Sequence, residues 1–240
     1  MFKKQIPNSI TSLNLLSGVF AIVATFEQSL LWAGFFIALG AFFDFFDGMS
    51  ARLLHVKSDM GKEMDSLADL VSFGLAPGFI VYQLMLQSSA LPNTMLSGHL
   101  IAPFFAFLIP VFAALRLAKF NIDTRQTTSF IGLPTPANAL IFGSFPFILK
   151  ANFAIQLPFL QDFIGNYWVL LVLAILVSIL MVAELPLFSL KFANLKWEEN
   201  RFRFIFLAIS ILLLIFLQIA AFPFIILIYI ILSILQNRKN

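Results

Sequence analysis

Four aspartates stand in one stretch of otherwise apolar sequence. They are Asp44, Asp47, Asp65 and Asp69, within GAFFDFFDGMSARLLHVKSDMGKEMDSLADLVSFGLAPG. Acids inside a bilayer are costly, and by default they mark function. Asp44 and Asp47 stand at i, i+3, and Asp65 and Asp69 at i, i+4, so each pair shares a helix face. A short connection would fold the two helices into a hairpin and bring the pairs face to face. Four carboxylates converging at low dielectric repel one another unless cations join them. Oxygen-only ligands suit hard ions such as Mg²⁺ or Mn²⁺. Two such ions side by side would clamp a pyrophosphate and its leaving group. Small residues at Gly40, Gly48 and Ala51, and at Ser72 and Ala76, would let a ligand approach the backbone.

The elements that position these acids are read from hydropathy. Of the 240 residues, 60% are apolar and 11% charged, and 31 are Phe. A soluble domain carries about 25% charge, so most of this surface must face lipid. A span needs about 20 apolar residues. Candidate spans fall near 8–27, 30–52, 62–87, 99–121, 136–156, 166–185, 202–219 and 221–236. The expected fold is an all-α polytopic membrane helix bundle of about eight helices. The basic N-terminus runs straight into the first span with no small-residue cleavage site, so that span reads as an uncleaved helix. With the N-terminus inside, 14 of the 15 Lys and Arg residues fall on one face, and Lys150 alone falls on the other. The positive-inside rule then puts both termini and the acids in the cytoplasm. The chain has no Cys, which excludes disulfides and thiolate chemistry.

Two other readings of the acids compete. They could pair with Arg52, Lys57 and Lys62 as a solvated helix end, or serve an ion-coupled transporter. A transporter is expected to place its site near the midplane, often between inverted repeats. Here the acids sit near the helix ends and no repeat is evident. The full spacing D-x2-D-G-x2-A-R-x8-G-x3-D-x3-D weighs against both. It resembles the motif of the CDP-alcohol phosphatidyltransferase family at all eight positions. The resemblance implies a six-helix catalytic core, CDP-diacylglycerol as donor, CMP as leaving group and a homodimer. It implies that Asp44, Asp47, Asp65 and Asp69 hold two metals, with Asp69 also the general base. Gly48, Ala51 and Gly61 would border the CDP-lipid, and Arg52 would pair with an acid or phosphate.

Three further segments resemble the serine-using branch of that family: IPNSITSLNLLSG at the first span, RLAKFN with FIGLPTP after the fourth, and MVAELPLFSLKF after the sixth. Asn8, Thr11 and Asn14 fall in one helical sector and could hydrogen-bond the nucleotide or its phosphates. L-serine brings a carboxylate, so its pocket needs cations or amides. Arg116, Lys119 and Arg125 cluster near the cytoplasmic end of the fourth span, and Arg presents a planar fork suited to carboxylate or phosphate. An acceptor such as glycerol phosphate or an inositol phosphate would also want basic residues. The same three cations could instead enforce topology or meet anionic headgroups. His55 reads as a solvated loop residue, Glu184 as half of a structural ion pair, and Pro134 and Pro136 around Thr135 as a stiff helix start. The expected organisation is a catalytic core over residues 1–192 and a C-terminal helical hairpin over 193–240. The expected setting is a prokaryotic inner membrane, with membrane lipids as surroundings and no nucleic-acid partner.

Overall fold

The computed structural model of the chain describes residues 2–56, 58–96, 98–123, 130–150, 158–188 and 196–237. Helix α1 (Phe2–Phe26) and helix α2 (Leu30–Leu53) pack along their lengths as a hairpin. Helix α3 (Asp59–Asp69) continues through a π-helical segment, Leu70–Leu75, into α4 (Ala76–Gln87). Strands β1 (Met95–Leu96) and β2 (His99–Leu100) form a minimal antiparallel hairpin. A 3₁₀ segment, Ala102–Phe107, leads into α5 (Leu108–Ile122). Strand β3 (Phe130–Ile131), α6 (Thr135–Leu149), α7 (Pro158–Ile164), α8 (Tyr167–Val182) and β4 (Pro186–Leu187) follow. Helix α9 (Trp197–Leu217), a 3₁₀ turn at Gln218–Ala221 and α10 (Phe222–Asn237) end the described chain.

Among the described residues, five helical runs are long and apolar enough to cross a membrane: Gln5–Phe26, Leu30–Leu53, Asp59–Gln87, Ala102–Ile122 and Asn200–Asn237. Helices α6 and α8 are apolar but shorter. The protein is therefore an all-α polytopic integral membrane protein. The last run is broken at Gln218, whose φ of 52° and ψ of −131° no helix accommodates. The rings of Phe206 and Tyr229, on either side of this break, lie 5.5 Å apart, so α9 and α10 fold back on each other. The fifth expected span, 136–156, is helical only to Leu149 and leaves the described residues at 151. The short helix α7 was not foreseen: its seven residues are too few to show a helical period against the apolar background.

Two close approaches set the position of the acidic helices. A Cβ on Gly18 would come within 2.4 Å of Ser72 Oγ, so α1 lies directly on the π-helical segment. A Cβ on Gly34 would come within 2.1 Å of the Gly143 carbonyl, so α2 lies equally close to α6. Small residues let membrane helices meet backbone to backbone. The π-helical turn has a local cause as well. Pro77 has no N–H to donate to the Phe73 carbonyl four residues back. Asn138 Nδ2 donates to that carbonyl instead, at 3.0 Å. Such π-bulges often lie at functional sites, and this one begins at the residue after Asp69.

Candidate active site

Asp44 and Asp47 project from the last three turns of α2, and Asp65 from α3. One carboxylate oxygen from each of the three lies within 4.8 Å of the others. At that separation each pair of charges repels by about 3–4 kcal/mol at an effective dielectric of about 20. Asp65 Oδ1 is buried and has no hydrogen-bond partner in the protein. A divalent cation fits this oxygen-only donor set, because it would supply both the missing partner and the neutralising charge. Asp69, one turn beyond Asp65, lies outside this group of three. Its carboxyl meets that of Asp44 at hydrogen-bonding range. The four acids do converge, as a group of three and one deeper carboxyl.

Helix α1 holds the acids in place. The Thr11 hydroxyl lies 2.7 Å from Asp47 Oδ2 and 3.0 Å from the Pro7 carbonyl. Asn14 Nδ2 donates to Asp69 Oδ1 at 3.1 Å, and Ser72 Oγ donates to the Asn14 carbonyl at 2.8 Å. Thr11, Asn14 and Ser72 are all buried. Asn14 therefore touches the deep acid, whereas Asn8 and Thr11 face the opening.

That opening is a cleft of about 370 Å³, lined by Asn8, Thr11, Asp47, Gly48, Ala51 and Gly61 among others. All six were expected to serve the donor or the metal. Gly48 has nothing within 4 Å of a would-be Cβ, so a side chain there would extend into open space beside the cleft. Gly61 is tight: a Cβ would meet Asn8 Oδ1 at 3.0 Å. Ser58 and Lys62 also line the cleft and were not singled out for the donor. Ser58 caps α3 by accepting from Gly61 N–H at 3.3 Å, and a serine-aspartate pair before a helix was the available signal. Arg52 is exposed on the last turn of α2 and does not line the cleft.

A second polar group lies on the far side of Asp69. Gly78 packs against Pro110, and Gly74 against Ala113, so α5 runs antiparallel to the π-helical segment. That register brings Arg116 level with Asp69. Arg116 is 7% exposed, its Nε has no partner, and its guanidinium lies 5.7 Å from the Phe120 ring centroid. Asp69 is its charge partner. Thr135 and Asn138 are buried on the first turn of α6, and Thr135 Oγ1 and Asn138 Oδ1 lack partners. Buried polar atoms are nearly always satisfied, so these three orphans, on α5 and the start of α6, leave hydrogen-bonding capacity that a polar ligand would fill. Asn138 was missed, and Thr135 was noted only for its flanking prolines. The legible clue to Asn138 was Pro77, which frees a carbonyl that something must satisfy. Lys119 is turned elsewhere: its Nζ reaches the Val182 carbonyl and Glu184 Oε1, both at 3.5 Å. Glu184 is thus half of an ion pair, as expected, with Lys119 as partner. His55 is exposed in the loop after α2. Arg125 lies outside the described residues.

The profile of the CDP-alcohol phosphatidyltransferase family matches residues 4–180. A Bacillus subtilis protein named CDP-diacylglycerol–serine O-phosphatidyltransferase is 42% identical over 131 residues, which is 55% of this chain and 69% of that protein. A Mycobacterium leprae protein of the same name is 32% identical over 189 residues, 76% of this chain and 57% of that protein. One from Methanocaldococcus jannaschii is 33% identical over 180 residues, 75% of this chain and 72% of that protein. With the family profile running through α1, the acid-bearing hairpin and the helices that enclose it, this chain belongs to the CDP-alcohol phosphatidyltransferase family.

Proposed function

We propose that the protein transfers the phosphatidyl group of CDP-diacylglycerol to the hydroxyl of L-serine, giving phosphatidylserine and CMP. The observation that carries this reading is the placement of Asp69. It meets Asp44 of the acid group on one side and is the charge partner of the buried Arg116 on the other. The relatives named for serine supply the identity of the acceptor.

Asn8, Thr11, Gly48, Ala51 and Gly61 border the CDP-lipid, and Arg52 reaches its phosphates from the rim. Asp44, Asp47, Asp65 and Asp69 hold two divalent ions, Mg²⁺ or Mn²⁺. Bound there, such ions neutralise charge on the pyrophosphate and the leaving group. Thr11 and Asn14 fix the rotamers of Asp47 and Asp69. Asp69 takes the proton of the serine hydroxyl, and the serine oxygen bonds to the lipid-side phosphorus. The bond from that phosphorus to the CMP oxygen breaks. Arg116 faces the serine carboxylate, Lys119 adds positive field at the same end of the bundle, and Arg125 is a further acceptor-binding cation. Asn138 Oδ1 and Thr135 Oγ1 accept from the serine ammonium. Catalysis consists of positioning and electrostatic stabilisation.

The acid-bearing helix ends face the cytoplasm, with both termini on that side of a prokaryotic inner membrane. Residues 1–192 form the catalytic core, and the enzyme works as a homodimer. The deciding experiment is CMP release from CDP-diacylglycerol by purified protein, offered L-serine, glycerol phosphate or an inositol phosphate in turn. Serine alone should support release. Equal release with glycerol phosphate and none with serine would overturn the acceptor and leave the phosphatidyl transfer standing.

A further inference from the structure

The family match ends at residue 180, so α9 and α10 lie beyond the shared core. Helix α10 is a run of large apolar residues that carries, besides Gln236, the polar groups of Tyr229, Ser233 and Asn237. Spaced four apart, these three share one helix face. Each is bonded to the backbone of a single short segment. Tyr229 OH donates to the Phe188 carbonyl at 2.7 Å. Phe188 N–H donates to Ser233 Oγ at 3.4 Å, and Ser233 Oγ lies 2.8 Å from the Tyr229 carbonyl. Asn237 Nδ2 donates to the Pro186 carbonyl at 2.5 Å. The Phe188 ring is enclosed by Tyr229 and Phe206, at 4.9 and 6.0 Å. A helix meant only to anchor would have no use for this polar stripe, since polar side chains in a membrane helix are kept where they find partners.

The gripped segment leads to the acceptor side of the site. Strand β4 pairs with β3 through Phe130–Leu187 and Ile131–Pro186. Gly132 N–H donates to the Leu185 carbonyl and Leu133 N–H to the Leu180 carbonyl, both at 2.9 Å. Gly132 has a φ of +77°, and a Cβ there would lie 2.5 Å from the Met181 carbonyl. The chain is therefore fixed over Phe130–Leu133, and Thr135 starts α6 two residues later. Helix α10 packs on α6, α9 and β4, whereas the donor cleft is built from α1, α2, α3 and the loop before α3.

We propose that Tyr229, Ser233 and Asn237 are positioning residues for the acceptor half of the site. They act through β4 and β3 on the start of α6, which carries Thr135 and Asn138. The C-terminal hairpin thereby governs how tightly the enzyme holds its small acceptor, and leaves its hold on the CDP-lipid alone. This rests on the acceptor-side reading of Thr135 and Asn138 given above.

The test uses the full-length protein in detergent-lipid micelles, with the variants Tyr229→Phe, Ser233→Ala and Ser233→Thr. Tyr229→Phe and Ser233→Ala each remove one hydroxyl and keep the packing. The KM for serine should rise about tenfold, the equivalent of one lost hydrogen bond, with the KM for CDP-diacylglycerol unchanged within twofold. Ser233→Thr keeps the hydroxyl and should restore the serine KM. Unchanged constants in both deletion variants would overturn the proposal, as would equal rises in both KM values. A fall in kcat alone would also overturn it, because that is the mark of a smaller folded fraction. The wild-type acceptor panel separates this from the choice of serine. If another alcohol is the true acceptor, the same split must appear in that alcohol's KM.

Discussion

The two sides of Asp69 are built on different plans. The donor side comes from one continuous stretch, residues 44–69, with α1 laid against it. Its acids repeat at helical spacing, and Gly48 leaves open space beside the cleft. The acceptor side is assembled from α5, the start of α6 and, at one remove, β3, β4 and α10. Its contacts join residues far apart in the chain: Asn138 with Phe73, and Phe188 with Tyr229. A site for a chemically invariant group, a pyrophosphate with its cations, can be written as one local motif. A site that must discriminate one small alcohol from another is made where several elements meet, and it can vary without disturbing the first.

The largest effect should come from what both sides share. Removal of divalent metal with a chelator should abolish CMP release with every acceptor, and Mg²⁺ or Mn²⁺ should restore it. Full turnover in chelator would end the metal-assisted reading of the three clustered carboxylates. Next is Asp69→Asn, close in shape but unable to take a proton. Loss of a general base costs about 10²–10⁴-fold, and the fall should appear in kcat. Measured CDP-lipid binding should weaken far less, since Asp44, Asp47 and Asp65 remain. A variant with wild-type kcat would move the base elsewhere.

The two sides then separate. Arg116→Lys keeps a charge and loses the planar fork. The serine KM should rise by roughly one to two orders of magnitude, near or below the low end of the about 2–5 kcal/mol for breaking a buried charge pair outright, because the charge is kept. The CDP-lipid KM should stay near its starting value. Gly48→Leu should do the reverse, because Gly48 lines the cleft and a Cβ there has no protein atom within 4 Å. Filling that space should raise the CDP-lipid KM by about tenfold or more, judged by the roughly 1–3 kcal/mol cost of overpacking, and leave the serine KM alone. If both variants shift both constants alike, the donor and acceptor halves are one pocket and the contrast drawn above fails.

This contrast also explains what the sequence disclosed. The convergence of Asp44, Asp47, Asp65 and Asp69, and the place of Gly48, Ala51 and Gly61 along the cleft, were legible because helix periodicity converts local spacing into a shared face. The first four spans were legible because apolar length is a direct physical requirement of the bilayer. Asn138 was hidden, since its role depends on a carbonyl freed by Pro77 on a different helix. The pairing of β3 with β4 was hidden too, because two-residue strands carry no alternation to read. Lys119 was grouped with Arg116 by spacing alone. One turn of helix was enough to send its side chain to α8.

That last residue gives the smallest and most discriminating prediction. Lys119 and Glu184 are 40% and 65% exposed at their side chains, and ion pairs so exposed contribute about 0–1 kcal/mol. Their separation of 3.5 Å is long for a charge-assisted hydrogen bond. Lys119→Gln keeps most of the side-chain length and can still donate to the Val182 carbonyl. It should therefore change the serine KM by no more than about two- to threefold, the loss of a distant positive field and of nothing that touches the substrate. Glu184→Gln, which removes the partner but not the cation, should leave the serine KM where it is. A rise with Lys119→Gln as large as that with Arg116→Lys would mean that Lys119 leaves Glu184 when serine binds. The acceptor side would then be a surface that forms on binding, in contrast to a donor side already in place.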